Sequence, residues 1–100
     1  MWKAQYEQYN KWHDMDFNTV NVQTQPGGQI HAQGADEVGI FEFEGSFSPN
    51  EPKCRMKKQY MNKHAIYYQG DFDKNTYEIN GTWGFKPGDS NGKFRMKRIG

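Results

Sequence analysis

Residues 64–85 read HAIYYQGDFDKNTYEINGTWGF. In the first half His64, Ile66, Tyr68 and Phe72 share one parity, and in the second Tyr77, Ile79, Trp83 and Phe85 do the same. Between them lies DKNT, a cluster of turn-forming side chains. Strict alternation marks a half-buried strand, and two such runs joined by a short polar turn make an antiparallel hairpin.

The same reading extends in both directions. In VGIFEFEGSF (38–47) Phe41, Phe43 and Phe47 oppose Glu42, Glu44 and Ser46. In CRMKKQY (54–60) Cys54, Met56 and Tyr60 oppose Arg55, Lys57 and Gln59, and in GKFRMKR (92–98) Phe94 and Met96 lie between outward Lys93, Arg95 and Lys97. Near the start, Trp2, Ala4, Tyr6 and Gln8 align. After a turn near Asn10–Lys11, His13, Met15 and Phe17 align as well. The apolar parity then moves to Val20 and Val22, which predicts a bulge near Asn18. QTQPGG reads as a loop, Ile30 and Ala32 as the inner face of a short strand, and ADE (35–37) as a tight turn into a strand starting at Val38.

The count is eight strands and no helix in a single domain spanning residues 1–100. Short connections force antiparallel neighbours, so the expected fold is all-β, an eight-stranded up-and-down barrel. A two-sheet sandwich is the alternative, disfavoured because it leaves two edges open. Matching inner faces sets a register. Gly45 faces Met56, Glu44 faces Lys57, Lys58 faces Phe43, Gly70 faces Cys54 and Ile79, Gly81 faces Tyr68 and Met96, Trp83 faces Phe94 and Asp71 faces Glu78. A Gly-x-aromatic unit recurs at Gly39, Gly45, Gly70, Gly81 and Gly92. In a small coiled barrel, glycine relieves crowding where strands bend and a neighbouring aromatic fills the space.

Composition sets the limits. Mean hydropathy is strongly negative, yet 16% of the residues are aromatic, so the core is expected to be built from rings. A net charge of +1 gives no global argument for nucleic acid. One cysteine, Cys54, cannot form an internal disulfide and falls in an apolar register, which fits an inert thiol in a reducing compartment. With no signal peptide and no membrane-length apolar run, a cytoplasmic protein is expected.

Turns alternate between the two barrel ends. One end collects Gln8, His13, Tyr60 and His64 with glycines 34, 39 and 92, while the other is plugged by residues such as Trp2, Ile30, Phe47 and Phe72. The polar end is the expected mouth of a ligand site, made of Tyr6, Gln8, His13, Lys58, Tyr60, His64, Tyr68 and Trp83. Lys58 is expected inward, where an ammonium must pair, snorkel or meet a ligand anion; a bulge that turns it outward is the alternative.

Two inward histidines without a matching cysteine or carboxylate make no zinc set, and no nucleophile elbow, phosphate loop or triad spacing appears. No enzyme activity, metal or cofactor is expected. The outward basic residues of two strands are separated by acidic neighbours, and only Trp12 and Tyr67 are available to stack on bases, so nucleic acid is not an expected partner.

An eight-stranded meander with inward aromatics and the Gly81-Thr82-Trp83 unit resembles the calycin-like barrels, the lipocalins, fatty-acid-binding proteins and avidins. DEVGIFEFEG, KHAIYYQG and INGTWGF are most similar to small calycin-like domains without an established substrate. In lipocalins and avidins Gly-x-Trp belongs to the first strand, whereas here it falls in the seventh. The resemblance implies a non-catalytic domain holding a small lipophilic or aromatic ligand inside the barrel, and a monomer is expected. The rival expectation is a protein-interaction module with a filled barrel and a binding outer face. An interior volume of about 300 Å³ or more separates the two.

Overall fold

A computed structural model describes residues 1–99. Eight strands follow in chain order: β1 (Trp2–Gln8), β2 (Lys11–Val22), β3 (Gln29–Ala35), β4 (Ile40–Phe47), β5 (Lys53–Tyr60), β6 (Ala65–Asp73), β7 (Glu78–Gly84) and β8 (Gly92–Arg98). Each pairs antiparallel with its sequence neighbour, and β8 closes on β1 from Trp2↔Arg98 to Tyr6↔Phe94. The all-β closed barrel expected from the alternation is therefore the architecture, and closure removes both sheet edges.

Local chemistry explains the joints. Tyr9 and Asn10 sit at φ 53° and 61° between paired Gln8 and Lys11. Two left-handed residues are what a two-residue hairpin turn requires when its twist follows that of the strands. The register of β2 against β3 shifts between Phe17 and Thr19. This is the bulge that the parity change near Asn18 predicts, and it returns Val20 to the barrel side.

The inner face of β4 and β5 follows the expected pairing, with Gly45↔Met56, Glu44↔Lys57 and Phe43↔Lys58. The β7 pairings differ from expectation by two residues on both sides. Tyr68 faces Trp83, Gly70 faces Gly81 and Asp71 faces Asn80. On the other side Gly81 faces Phe94, Trp83 faces Gly92 and Ile79 faces Met96. Each hairpin is displaced by two residues on its own account, because sliding β7 alone would set Trp83 against Met96 and not against Gly92. In β6–β7 the cause is the turn: Asp73 pairs with Glu78, leaving a loop over 74–77 with Tyr77 at φ 54° and the Asn75 N–H donating to Asp73 Oδ1 at 2.9 Å. In β7–β8 Trp83 pairs with Gly92 and the Asn91 N–H donates to the Trp83 carbonyl at 2.7 Å, leaving a loop over 85–91. A shift by an even number keeps every side chain on its own face, so the core assignment survives it.

The displacement sets glycine against glycine. A Cβ at Gly81 would strike the Gln69 carbonyl oxygen and lie 2.5 Å from Gly70 Cα, so only paired glycines permit this approach. Beside it, the bare Gly92 leaves the space taken by the Trp83 indole, whose Nε1 donates to the Glu7 carbonyl at 2.7 Å.

The interior is a column of rings. Phe41, Phe43, Phe47, Tyr60, Tyr68, Trp83 and Phe94 are all buried, with Ile30, Ile79 and Met96 between them. Burying each ring removes roughly 150–250 Å² from water, which offsets the scarcity of aliphatic residues. The radius of gyration, 12.4 Å, is that of a tightly packed chain of this length. Among the described residues, no helix is long and apolar enough to cross a membrane.

Candidate functional site

The turn between β3 and β4 differs most from expectation. Residues 36–39 are not a bare tight turn; they fold over the polar end of the barrel, and β4 starts only at Ile40. The Asp36 N–H donates to the Gly39 carbonyl at 3.1 Å and the Val38 N–H to Asp36 Oδ1 at 2.9 Å. Gly39 takes φ 153°, which side-chain-bearing residues seldom adopt. The segment acts as a lid.

Under the lid Lys58 points inward, 1% exposed. Its Nζ lies 2.7 Å from Asp36 Oδ2, and the same oxygen accepts the Tyr60 hydroxyl at 2.6 Å. The Asp36 side chain is fully buried. Of the expected fates for the ammonium, pairing is the one observed, and the partner is the chain's own carboxylate. The ring centroids of Tyr6, Tyr60, Phe41 and Tyr68 surround Nζ at 4.6, 4.8, 5.2 and 5.4 Å. Such faces favour a cation electrostatically. Met15 Sδ accepts a further weak bond from Nζ at 3.4 Å.

Burial decides the proton affinities here. It lowers Lys58 to about 8, against the opposing pull of Asp36. It pushes Tyr6 up to about 12, aided by the negative charges of Asp36 and Glu37. Tyr60 is raised by burial and then by its bond to Asp36, and Tyr68 is raised well above the usual phenol range, again mainly by burial. All three phenols hold their protons at neutral pH.

Two further contacts latch the lid. His13 Nδ1 meets Glu37 Oε1 at 2.5 Å, a bond that raises the imidazole above its ordinary value, and the ring stacks on Tyr6 at 5.1 Å. Lys63 Nζ donates to the Val38 carbonyl at 2.8 Å from the β5–β6 turn.

Seven of the eight expected site residues, Tyr6, Gln8, Lys58, Tyr60, His64, Tyr68 and Trp83, line one cavity at this mouth, while His13 serves the latch. The cavity measures about 60 Å³. His64 is not an inner-wall residue: it precedes β6 and is exposed at the rim, and Phe85 beside it is 52% exposed because β7 ends at Gly84. Asp36, Glu37 and Val38 escaped the sequence reading. An inward lysine near the mouth needs a nearby acid, and ADE is the acidic turn at that end; charge balance was the available signal.

The opposite end is plugged as expected by Trp2, Ile30, Phe47 and Cys54, all buried. Burial pushes the Cys54 thiol up to about 12, so it is unreactive. Above the plug, the β2–β3, β4–β5 and β6–β7 loops border an open cleft of about 670 Å³. Phe47, Phe72, Pro26, Pro49 and Pro52 form its apolar walls, with Glu51, Asp73 and Lys74 at the rim. Phe47 and Phe72 meet edge to face at 5.1 Å and fix the floor.

Part of the outer-face charge is paired within the chain. Lys53 pairs with Asp71 at 3.0 Å and Lys97 with Glu78 at 3.2 Å, while the Arg95 guanidinium covers the Trp12 ring at 4.0 Å. Among the described residues no group of three or more histidine, cysteine or carboxylate side chains is placed to hold a metal. No family model matches the chain, and neither a curated protein nor a solved structure matches it.

Proposed function

We propose that this chain is a calycin-like, non-catalytic, cytoplasmic binding domain that holds a small lipophilic or aromatic ligand in the loop cleft above the plug, outside the barrel. The observation that carries the reading is the contrast in space. The cleft is open to solvent and offers about 670 Å³ between apolar walls, whereas the barrel interior at the lidded mouth offers about 60 Å³, below the roughly 300 Å³ that a ligand held inside the barrel needs. The ligand class expected from the sequence is kept and its place is moved. The walls supply apolar contact, and the rim charges supply orientation.

The rival, a protein-interaction module with a filled barrel, draws support from the packed interior. Its weakness is the outer face, where Lys53, Lys97 and Trp12 are already engaged within the chain.

NMR titration of the isotope-labelled protein with a panel of aromatic and aliphatic probes, such as anilinonaphthalene sulfonate, indole and decanoate, tests the proposal. Shifts concentrated at Thr24, Phe47, Asn50 and Phe72 are expected. Shifts centred on His64 and Trp83 would return the site to the mouth, and no shift with any probe would leave the interaction module as the better reading.

A further inference from the structure

Among the described residues Lys58 is the one lysine lining the mouth cavity, and it lies at the opposite end from the cleft. A buried ammonium is ordinarily inert because every donor is engaged. Here Nζ has two such partners, Asp36 Oδ2 at 2.7 Å and Met15 Sδ at 3.4 Å, and a thioether is a weak acceptor. The remaining surroundings of Nζ are ring faces, and Lys58 is among the residues that line the cavity. An apolar enclosure shifts a lysine toward its neutral form, the form that adds to carbonyl groups. Burial does this to Lys58, lowering it to about 8.

We propose that Lys58 is a covalent capture site for small aldehydes, which it holds as a protonated imine beneath the lid. The cavity sets the size class. About 60 Å³ is the volume of roughly two water molecules in the liquid, enough for formaldehyde or acetaldehyde and too little for an aromatic aldehyde.

The chemistry closes with the groups present. The ammonium passes one proton to the Asp36 carboxylate, 2.7 Å away. The freed lone pair attacks the carbonyl carbon; a C–N bond forms and the carbonyl π pair moves to oxygen. A proton transfers from nitrogen to that oxygen and gives the neutral carbinolamine. Asp36 then returns its proton to the hydroxyl, the C–O bond breaks with loss of water, and the nitrogen lone pair forms the C=N bond. The sum is ammonium plus aldehyde giving iminium plus water, with no redox change and no net proton release. The product keeps its positive charge, so the pairing with Asp36 and the ring cage is retained. Tyr60, bonded to the same Asp36 oxygen at 2.6 Å, is a positioning residue for the carboxylate. The groups facing Nζ are Asp36 from the lid, Tyr6 from β1, Tyr60 on β5 and Tyr68 on β6, with His64 at the rim. The phenols stay protonated, so Lys58 and Asp36 exchange the proton between them.

The test uses the intact wild-type protein. Incubation at pH 7.5 with formaldehyde and cyanoborohydride reduces each imine to a methylated lysine, and peptide mapping by mass spectrometry follows every site in time. Lys58 is expected to be labelled about tenfold faster than exposed Lys11, Lys74 and Lys93, because free amine at pH 7.5 is on the order of 100-fold more abundant at a pKa near 8 than at the ordinary lysine value, and entry through the mouth takes back part of that gain. Acetaldehyde is expected to behave alike, and benzaldehyde to label the exposed lysines while sparing Lys58. If Lys58 is labelled more slowly than the exposed lysines by formaldehyde, the proposal is wrong. Equal relative labelling by benzaldehyde would also overturn it, since reaction would then pass through unfolding and not through the cavity.

Discussion

Asp36 and Lys58 show how one pair can hold both a core and a lid. A carboxylate with no exposure and an ammonium at 1% are tolerated because they meet at 2.7 Å and Tyr60 satisfies the same oxygen. Breaking such a pair by removing one charge strands the other, typically at about 3–5 kcal/mol, whereas replacing both with well-packed apolar residues is often neutral. Asp36→Asn is therefore expected to lower unfolding free energy by about 3 kcal/mol in urea melts, and Asp36→Leu with Lys58→Met to recover part of it, the buried Tyr60 hydroxyl being left without its partner. A double variant no more stable than the single would show that the pair is not the reason for the loss. Parity put Lys58 on the inner face with Met56 and Tyr60 but left an outward bulge equally open, and the unbroken β4–β5 register is what decides it. Its partner was not legible, because a turn has no periodicity to say which way Asp36 points.

At the scale of elements, strand identity was readable throughout and one strand's register was not. Alternation fixes which face a residue takes, but a slide of two residues leaves every face unchanged, so the pairings of β7 were placed by the turns on either side of it and not by its pattern. The lid was hidden for a related reason: ADE reads as a hairpin turn whether it stands clear of the barrel or folds across it. Its latch makes a pH-dependent element. The Glu37 bond raises His13 above the ordinary 6.5, so the folded state holds the proton more tightly than the unfolded chain does. The stabilisation is fully present below about 6.5 and fades as pH rises through the raised value. Amide exchange at Val38 and Gly39 is thus expected to quicken relative to the barrel strands between pH 6 and 8, beyond the intrinsic effect of base. In Glu37→Gln this excess is expected to vanish; an unchanged excess would place the pH sensor elsewhere.

For the molecule as a whole, closure and a ring-filled interior make alkaline pH the informative direction. Lys58 is lowered to about 8 from an ordinary 10.5, so the folded state sheds that proton first and its contribution to stability rises across this interval. Tyr6, raised to about 12, acts oppositely with Tyr60 and Tyr68: their contribution is complete below about 10 and is lost as pH climbs through their raised values. Stability in urea is expected to gain about 1–2 kcal/mol between pH 7.5 and 9.5 and to fall steeply above 10.5, and the Asp36→Leu, Lys58→Met double variant to lose the gain and keep the fall. A double variant that still gained between pH 7.5 and 9.5 would exclude Lys58 as its source. The seam that closes the barrel carries a mechanical consequence. Trp2 pairs with Arg98 and the Ile99 N–H donates to the Met1 carbonyl at 2.7 Å, so the two ends of the described residues, Met1 and Ile99, leave from the same point of an antiparallel pair. Tension between those ends pulls along the hydrogen bonds of β1 and β8 and peels them singly, starting at Met1 and Trp2. A barrel that resists solvent from every side is thus one that yields to small forces when held by its ends.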